Sequence, residues 1–255
     1  MHKIVKNLLA KQDIEEIRAE IQENLDLSYI SQQNYRGNIF QVKRMDHQNI
    51  ANLKKTVKKI YNKKLFEYLY KIFGKFYLMN RIEMTINGFS PATHRDGQSH
   101  GFNKDGLIKS KKIFKVILYA NESYKEHIIK IGVLNSDPIE IVKSEKYFTK
   151  INYYIENYIK KNILKKIFLS AGDFLIFDSN TWHSANSNFD KNLSQNQKIY
   201  IAFEFCTDKK IAEDYSNFLS KKFDQITNLK EFNNLDLENY LSNNKLFSVC
   251  DIKRN

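Results

Sequence analysis

Cysteine, proline, glycine and arginine are all scarce in this 255-residue chain, and each scarcity excludes something. Two cysteines, Cys206 and Cys250, supply neither a disulfide framework nor a metal-binding spacing. Two prolines and eight glycines leave no Pro/Gly-rich linker, so the chain reads as one continuous domain. No apolar run approaches the roughly 20 residues of a membrane-spanning helix. The opening MHKIVKNLLAKQDIEE lacks the apolar stretch and small-residue cleavage site of a secretory signal. A cytoplasmic setting, away from membranes, is the expectation.

Arginine occurs only at Arg18, Arg36, Arg44, Arg81, Arg95 and Arg254, so lysine supplies most of the net charge of +12. The planar guanidinium fork is the better reader of phosphates and bases, and it is nearly missing. A nucleic-acid partner is therefore not expected. Heavy use of lysine, asparagine, isoleucine, tyrosine and phenylalanine suggests an AT-rich genome and a solvated lysine surface. Such a surface is compatible with an anionic small-molecule substrate. Oligomeric state leaves no mark in the sequence.

What is present divides into three parts. Residues 1–75 are expected to be mainly helical. DIEEIRAEIQENL places Ile14, Ile17, Ile21 and Leu25 on one face, with Asp13 and Glu16 in capping-box spacing. A second helical pattern runs from His47 to Phe73, and NIFQV between the two is a short strand candidate. From residue 76 to 206 the pattern is of strands: FYLMNRIEMTING, KKIFKVILYAN, HIIKIGVLN, PIEIV, KKIFLSAGDFLIF and QKIYIAFEF. A helical insertion at 145–163 interrupts them, either packed on the sheets or acting as a lid. Residues 207–255 return to helix. The fold class expected is α+β with a β-sandwich core.

The segment PATHRDGQSH, Pro91 to His100, carries the chemistry. Its His-Arg-Asp triplet also opens a kinase catalytic loop. That loop needs an asparagine five residues after the aspartate, where Gly101 stands, and a glycine-rich loop and Asp-Phe-Gly that are missing. In an extended segment, residues i and i+2 project the same way, so His94 and Asp96 can share a metal ion. A third ligand can come from His183 in GDFLIFDSNTWHSANSN, where a Gly172-Asp173 turn and a buried strand precede it. Two histidines and a carboxylate on one face of an ion leave positions open, the donor set of non-heme Fe(II) oxygenases. The open positions suit a 2-oxo acid and dioxygen, and a cation must then meet the far carboxylate. Lys198 begins the polar face of QKIYIAFEF, which also carries Tyr200, Ala202 and Glu204. Lys115 on FKVILYAN is the second candidate. Tyr119 and Asn121 share its face.

These residues resemble the Fe(II)/2-oxoglutarate-dependent dioxygenase superfamily, most closely its phytanoyl-CoA dioxygenase and prolyl 4-hydroxylase branches. The resemblance spans roughly Met84 to Phe205 and rests on His94-Arg95-Asp96, FKVILYAN and GDFLIFDSNTWHSANSN. It implies a double-stranded β-helix (jelly-roll, cupin-like) core flanked by N- and C-terminal helices. It also implies Fe(II), 2-oxoglutarate and O2 as cofactor and cosubstrates, with succinate and CO2 released as a small molecule or conjugated metabolite is hydroxylated. The asparagine that typically follows the distal histidine is matched by Asn188. Halogenating relatives lack the carboxylate at the position of Asp96, so its presence points to hydroxylation, desaturation or ring closure. Two features depart from the pattern: lysine replaces the usual arginine anchor, and no glycine pair follows FKVILYAN.

Other assignments compete with these. His94 and Asp96 could form an ordinary polar turn, and His183 could be a packed histidine beside Trp182. His100 could complete a local zinc loop with His94 and Asp96, although a zinc site of that kind usually adds a further ligand. Lys198 could be a solvated strand lysine, and Tyr119 a core residue. His2, His47 and His127 read as surface or packing residues. The competing class for the whole chain is a non-catalytic, metal-binding β-sandwich module.

Overall fold

In the computed structural model, the residues described are 2–35, 38–45, 47–86, 90–94, 96, 113–120, 129–132, 164–185, 198–215 and 247–248. Strand β1 (His2–Val5) leads into helix α1 (Lys11–Glu23), whose Ile14, Ile17 and Ile21 are buried as their spacing predicts. The helix begins earlier than the capping-box spacing indicates. Ala10 is the N-cap, and Asp13 sits in the first turn, where its carboxylate accepts the Ala10 N–H at 2.9 Å. Glu16 pairs with Lys59 at 3.0 Å. The cap is therefore supplied backwards from inside the helix.

A hairpin follows, β2 (Tyr29–Tyr35) and β3 (Asn38–Met45). NIFQV lies within β3, but its partner β2 escaped the periodicity because YISQQNY is too polar to register as a half-buried strand. The single helical pattern of 47–73 is three helices: α2 (His47–Asn52), α3 (Lys54–Ile60) and α4 (Lys63–Phe73). Local capping breaks it. Glu20 of α1 accepts the Lys55 and Thr56 N–H groups at 3.1 and 2.6 Å, and Asn62 caps α4 through the Leu65 N–H at 2.9 Å.

The strands that follow are β4 (Tyr77–Ile86), β5 (Ser90–His94), β6 (Ile113–Tyr119), β7 (Ile129–Gly132), β8 (Leu164–Ile167), β9 (Phe174–Asp178), β10 (His183–Ala185), β11 (Ile199–Cys206) and β12 (Phe247–Ser248). KKIFLSAGDFLIF is thus two strands, divided at the Gly172 turn and lodged in different sheets. One sheet has the order β1-β9-β6-β11-β4-β3-β2, with β12 pairing to β4. The other has the order β5-β10-β7-β8. From β4 to β11 the chain alternates between the sheets, except that β7 and β8 pair with each other.

Two apolar clusters follow from this layering. On one face of the larger sheet, Ile82, Met84, Val116, Leu118, Ile201, Phe203 and Phe205 pack with Ile17, Val57, Leu65 and Phe66 of the helices. On the opposite face, Ile117, Tyr119, Leu175, Phe177 and Ala202 meet Ile129, Ile131 and Ile167 of the smaller sheet. This inner layer carries the site. The expected PIEIV strand, the 145–163 insertion and most of 207–255 lie outside the described residues; of the last, residues 209–215 are helical, but 247–248 form strand β12, which its pairing with β4 holds in place of the expected helix. Among the described residues, no helix is long and apolar enough to cross a membrane.

The Gly172-Asp173 turn fastens β1 to this framework. Gly172 adopts φ +85°, its carbonyl accepts the Leu8 and Leu9 N–H groups, and an added Cβ would stand 2.4 Å from the Leu9 oxygen. The Asp173 carboxylate is fully buried, pairs with Lys6, and accepts the Asn7 and Ser170 N–H groups at 3.0 and 3.1 Å. Gly172→Ala is expected to lower stability by about 2–4 kcal/mol through left-handed strain and displacement of the Leu9 backbone, measured by urea unfolding.

Candidate metal centre

The centre is assembled by a turn between β9 and β10. Asp178 Oδ1 accepts the Asn180 N–H at 2.8 Å, and the Asp178 carbonyl accepts the Thr181 N–H at 2.7 Å. An aspartate opening such a turn is favoured because its carboxylate satisfies a backbone donor two residues on. The Ser179 N–H donates to the Ile113 carbonyl at 2.9 Å, and the Ser179 carbonyl accepts the Asp96 N–H at 3.2 Å. One turn therefore fixes both the start of β6 and the backbone of Asp96.

His183 is the first residue of β10 and stands opposite His94 of β5 and Ile131 of β7. Its Nδ1 is 2.9 Å from the Thr181 carbonyl. A carbonyl can only accept, so Nδ1 carries the proton and Nε2 offers its lone pair. The ring is steadied by Phe177, edge-on at 4.9 Å between centroids. Nε2 lies 3.6 Å from Asp96 Oδ1, too long for a hydrogen bond. Two donors each about 2.1 Å from one ion, at a right angle, are about 3 Å apart, so the pair is close to the separation of neighbouring ligands. Both residues are buried. Among the described residues, no three His, Cys, Asp or Glu side chains gather around one point. His94 is positioned by register only, and its side chain is outside the described set.

Lys115 completes this corner. Its ammonium is 3.0 Å from Glu83 Oε2 and 3.4 Å from Asp96 Oδ2, with the lysine and aspartate side chains nearly fully buried. Burial works against the charge, but the carboxylates of Asp96 and Glu83 outweigh it and hold the lysine well above its usual range. Glu83 escaped notice in the sequence, although a signal was there. It interrupts the apolar run of β4 at a position facing the inner layer, while Ile82 and Met84 face the helices.

Lys198 and Tyr119 occupy the other end of the same face. Lys198 precedes β11 by one residue and Glu204, six residues later, pairs with Lys115, so about 20 Å of strand separates the two ends. Lys198 is 1% exposed, with its ammonium 5.2 Å from the centroid of the Tyr119 ring. Burial lowers its pKa to about 8. The Tyr119 hydroxyl is buried and, among the described residues, has no hydrogen-bond partner. Burial raises the Tyr119 and Tyr200 hydroxyls above their usual range. His100, Asn121 and Asn188 lie outside the described residues.

No protein-family model matches the chain, and no curated protein matches it. Solved structures do. The chain is similar to SnoN, a non-heme alpha-ketoglutarate-dependent epimerase from nogalamycin biosynthesis, with a TM-score of 0.56 and 12% identity over 80% of this chain and 78% of that one. SnoN in complex with Fe3+, alpha-ketoglutarate and nogalamycin RO gives the same TM-score and coverage at 13% identity. AviO1 from Streptomyces viridochromogenes Tue57 gives 0.52 at 9% identity, over 80% of this chain and 89% of that one. At these identities the likeness is one of fold: helices on mixed antiparallel sheets, in an arrangement shared with an alpha-ketoglutarate-dependent enzyme.

The depressed pKa of Lys198 has a consequence for stability. The unfolded lysine keeps its proton to about 10.5 and the folded one to about 8. Between those values the unfolded state binds more protons, so this residue makes stability rise with pH; below about 8 the cost of the buried charge is carried in full. Lys198→Met is expected to remove this residue's share of the rise in stability between about pH 8 and 10.5. Urea unfolding across that range checks it.

Proposed function

We propose that this chain is a non-heme Fe(II)- and 2-oxoglutarate-dependent dioxygenase that hydroxylates a small molecule. The observation that carries the proposal is the buried pair of Asp96 and His183, 3.6 Å apart, with Nδ1 of the imidazole engaged by the Thr181 carbonyl. His94, at the register position opposite His183, would be the third donor of the set. One carboxylate and imidazole nitrogens suit Fe(II) better than a soft thiolate-seeking ion. The fold shared with SnoN supports the same reading, since SnoN is described with Fe3+ and alpha-ketoglutarate. The alternation of β4 to β11 between two antiparallel sheets supports a double-stranded β-helix core within a single domain spanning the chain.

His94, Asp96 and His183 would hold the iron. Lys198 would hold the far carboxylate of 2-oxoglutarate, helped by the Tyr119 hydroxyl. Lys115 is the poorer anchor, because it lies against Asp96, whereas a five-carbon diacid needs its second cation away from the ion. The unsatisfied Tyr119 hydroxyl and the buried Lys198 ammonium fit such an anion. When bound, Fe(II) and 2-oxoglutarate supply the oxidising power for C–H hydroxylation, with succinate and CO2 released. The chain's own residues do the rest. Thr181 keeps the His183 proton on Nδ1, Phe177 fixes the ring, and Ile117, Leu175 and Ala202 keep water from the space between the two ends. The substrate class is a small molecule, with an anionic group compatible with the basic surface.

Added anaerobically, Fe(II) and 2-oxoglutarate are expected to produce a visible charge-transfer band, and air should then yield succinate while metabolite pools are screened for stimulation. His183→Ala and Asp96→Ala should lose both signals at saturating iron; survival of either signal would overturn the assignment. Lys198→Ala should weaken 2-oxoglutarate binding about tenfold or more, the worth of a charge-assisted contact, with the metal alone still bound. Because the anchor must be protonated, binding of 2-oxoglutarate to the wild type should also fall as pH rises past the lysine's pKa of about 8.

A further inference from the structure

Lys115, Asp96 and Glu83 form an ion triad on the inner layer, Lys115 and Asp96 buried and Glu83 partly exposed, with Tyr200 and Glu204 also close to the ammonium. Stability does not account for it, because apolar residues of similar volume commonly serve a core as well or better. Its geometry is specific. The two oxygens of Asp96 are divided, Oδ2 toward the Lys115 ammonium at 3.4 Å and Oδ1 toward His183 Nε2 at 3.6 Å. The lysine reaches Asp96 from the facing sheet and Glu83 from two strands away. In the register, Glu83 stands opposite Ala202 and Lys115 opposite Glu204, so Lys115 meets Glu83 diagonally across β11, beside a side chain too small to block it.

A carboxylate with both oxygens available can grip an ion with both and fill two coordination positions. One whose second oxygen is held by an ammonium presents a single oxygen. We propose that Lys115 is a positioning residue that restricts Asp96 to one-oxygen coordination, keeping a position open for 2-oxoglutarate, and that Glu83 holds the lysine in that role. This inference rests on the iron and 2-oxoglutarate reading. It adds an electrostatic consequence: the ammonium opposes binding of a bare dication and favours binding of the dianionic cosubstrate to the loaded centre. A merely structural lysine would not move those two affinities in opposite directions.

Calorimetry with Mn(II) alone, then with 2-oxoglutarate on the Mn(II) form, tests this in the full chain. Lys115→Met should bind Mn(II) more tightly and 2-oxoglutarate about tenfold more weakly, the size of one charged contact. Lys115→Arg, which keeps the charge, should restore both. Glu83→Gln leaves the lysine's charge less compensated and should shift both affinities the opposite way, weaker for Mn(II) and tighter for 2-oxoglutarate; it also serves if the methionine variant does not fold. The visible spectrum of the Co(II) form should change in Lys115→Met and match wild type in Lys115→Arg. Unshifted affinities, or two that fall together, overturn the role of Lys115 alone. A wild type that binds no Mn(II) overturns the iron reading and this inference with it.

Discussion

The burial of one carboxylate between an imidazole and an ammonium governs this structure. Asp96 lies two residues past the end of β5, a strand of the smaller sheet, and Lys115 is on β6, in the larger one. Their ion pair therefore joins the two sheets at one end of the inner layer, with His183 of β10 beside it. A carboxylate removed from water must be matched by charge and hydrogen bonds, or it takes up a proton and loses its value as a ligand. Here the backbone is held by Ser179, one oxygen by Lys115, and the other is turned toward His183.

The inner layer is electrically asymmetric as a result. One end holds Asp96, Glu83 and Lys115 against one another, with the Tyr200 ring beside Lys115; the other holds the Lys198 ammonium beside the Tyr119 ring, which packs edge-on against Tyr200. Ile117, Leu175 and Ala202 lie between. Charges separated by an apolar layer are screened less than they would be in water, so a diacid spanning the layer would meet a strong and directional field. Burial lowers the pKa of Lys198 to about 8.

Much of this was legible in the sequence, for identifiable reasons. The alternation of Lys198, Tyr200, Ala202 and Glu204 against Ile199, Ile201, Phe203 and Phe205 is a period of two, and the strand keeps it. The strand-turn-histidine segment around His183 marks one of the elements that meet, whereas Asp96 lies past the end of β5 and not in the extended segment its i, i+2 spacing from His94 suggests. Strand β2 was hidden because pairing, not its own hydrophobicity, holds it. The breaks among α2, α3 and α4 were hidden because one of the caps is Glu20, a residue 35 positions away. The two lysine candidates for one role looked alike in sequence, both on polar faces of strands.

The sequence by itself determined which faces are polar, which residue types could bind an ion, and that the middle of the chain is rich in strands. Those properties follow from local periodicity and side-chain chemistry. Only the tertiary structure decided which lysine lies against Asp96 and which waits at the far end, and that Glu83 belongs to the same cluster. Those facts depend on strand order and register, which bring β4, β11, β6 and Asp96, just past β5, side by side, and no local pattern encodes which strands become neighbours.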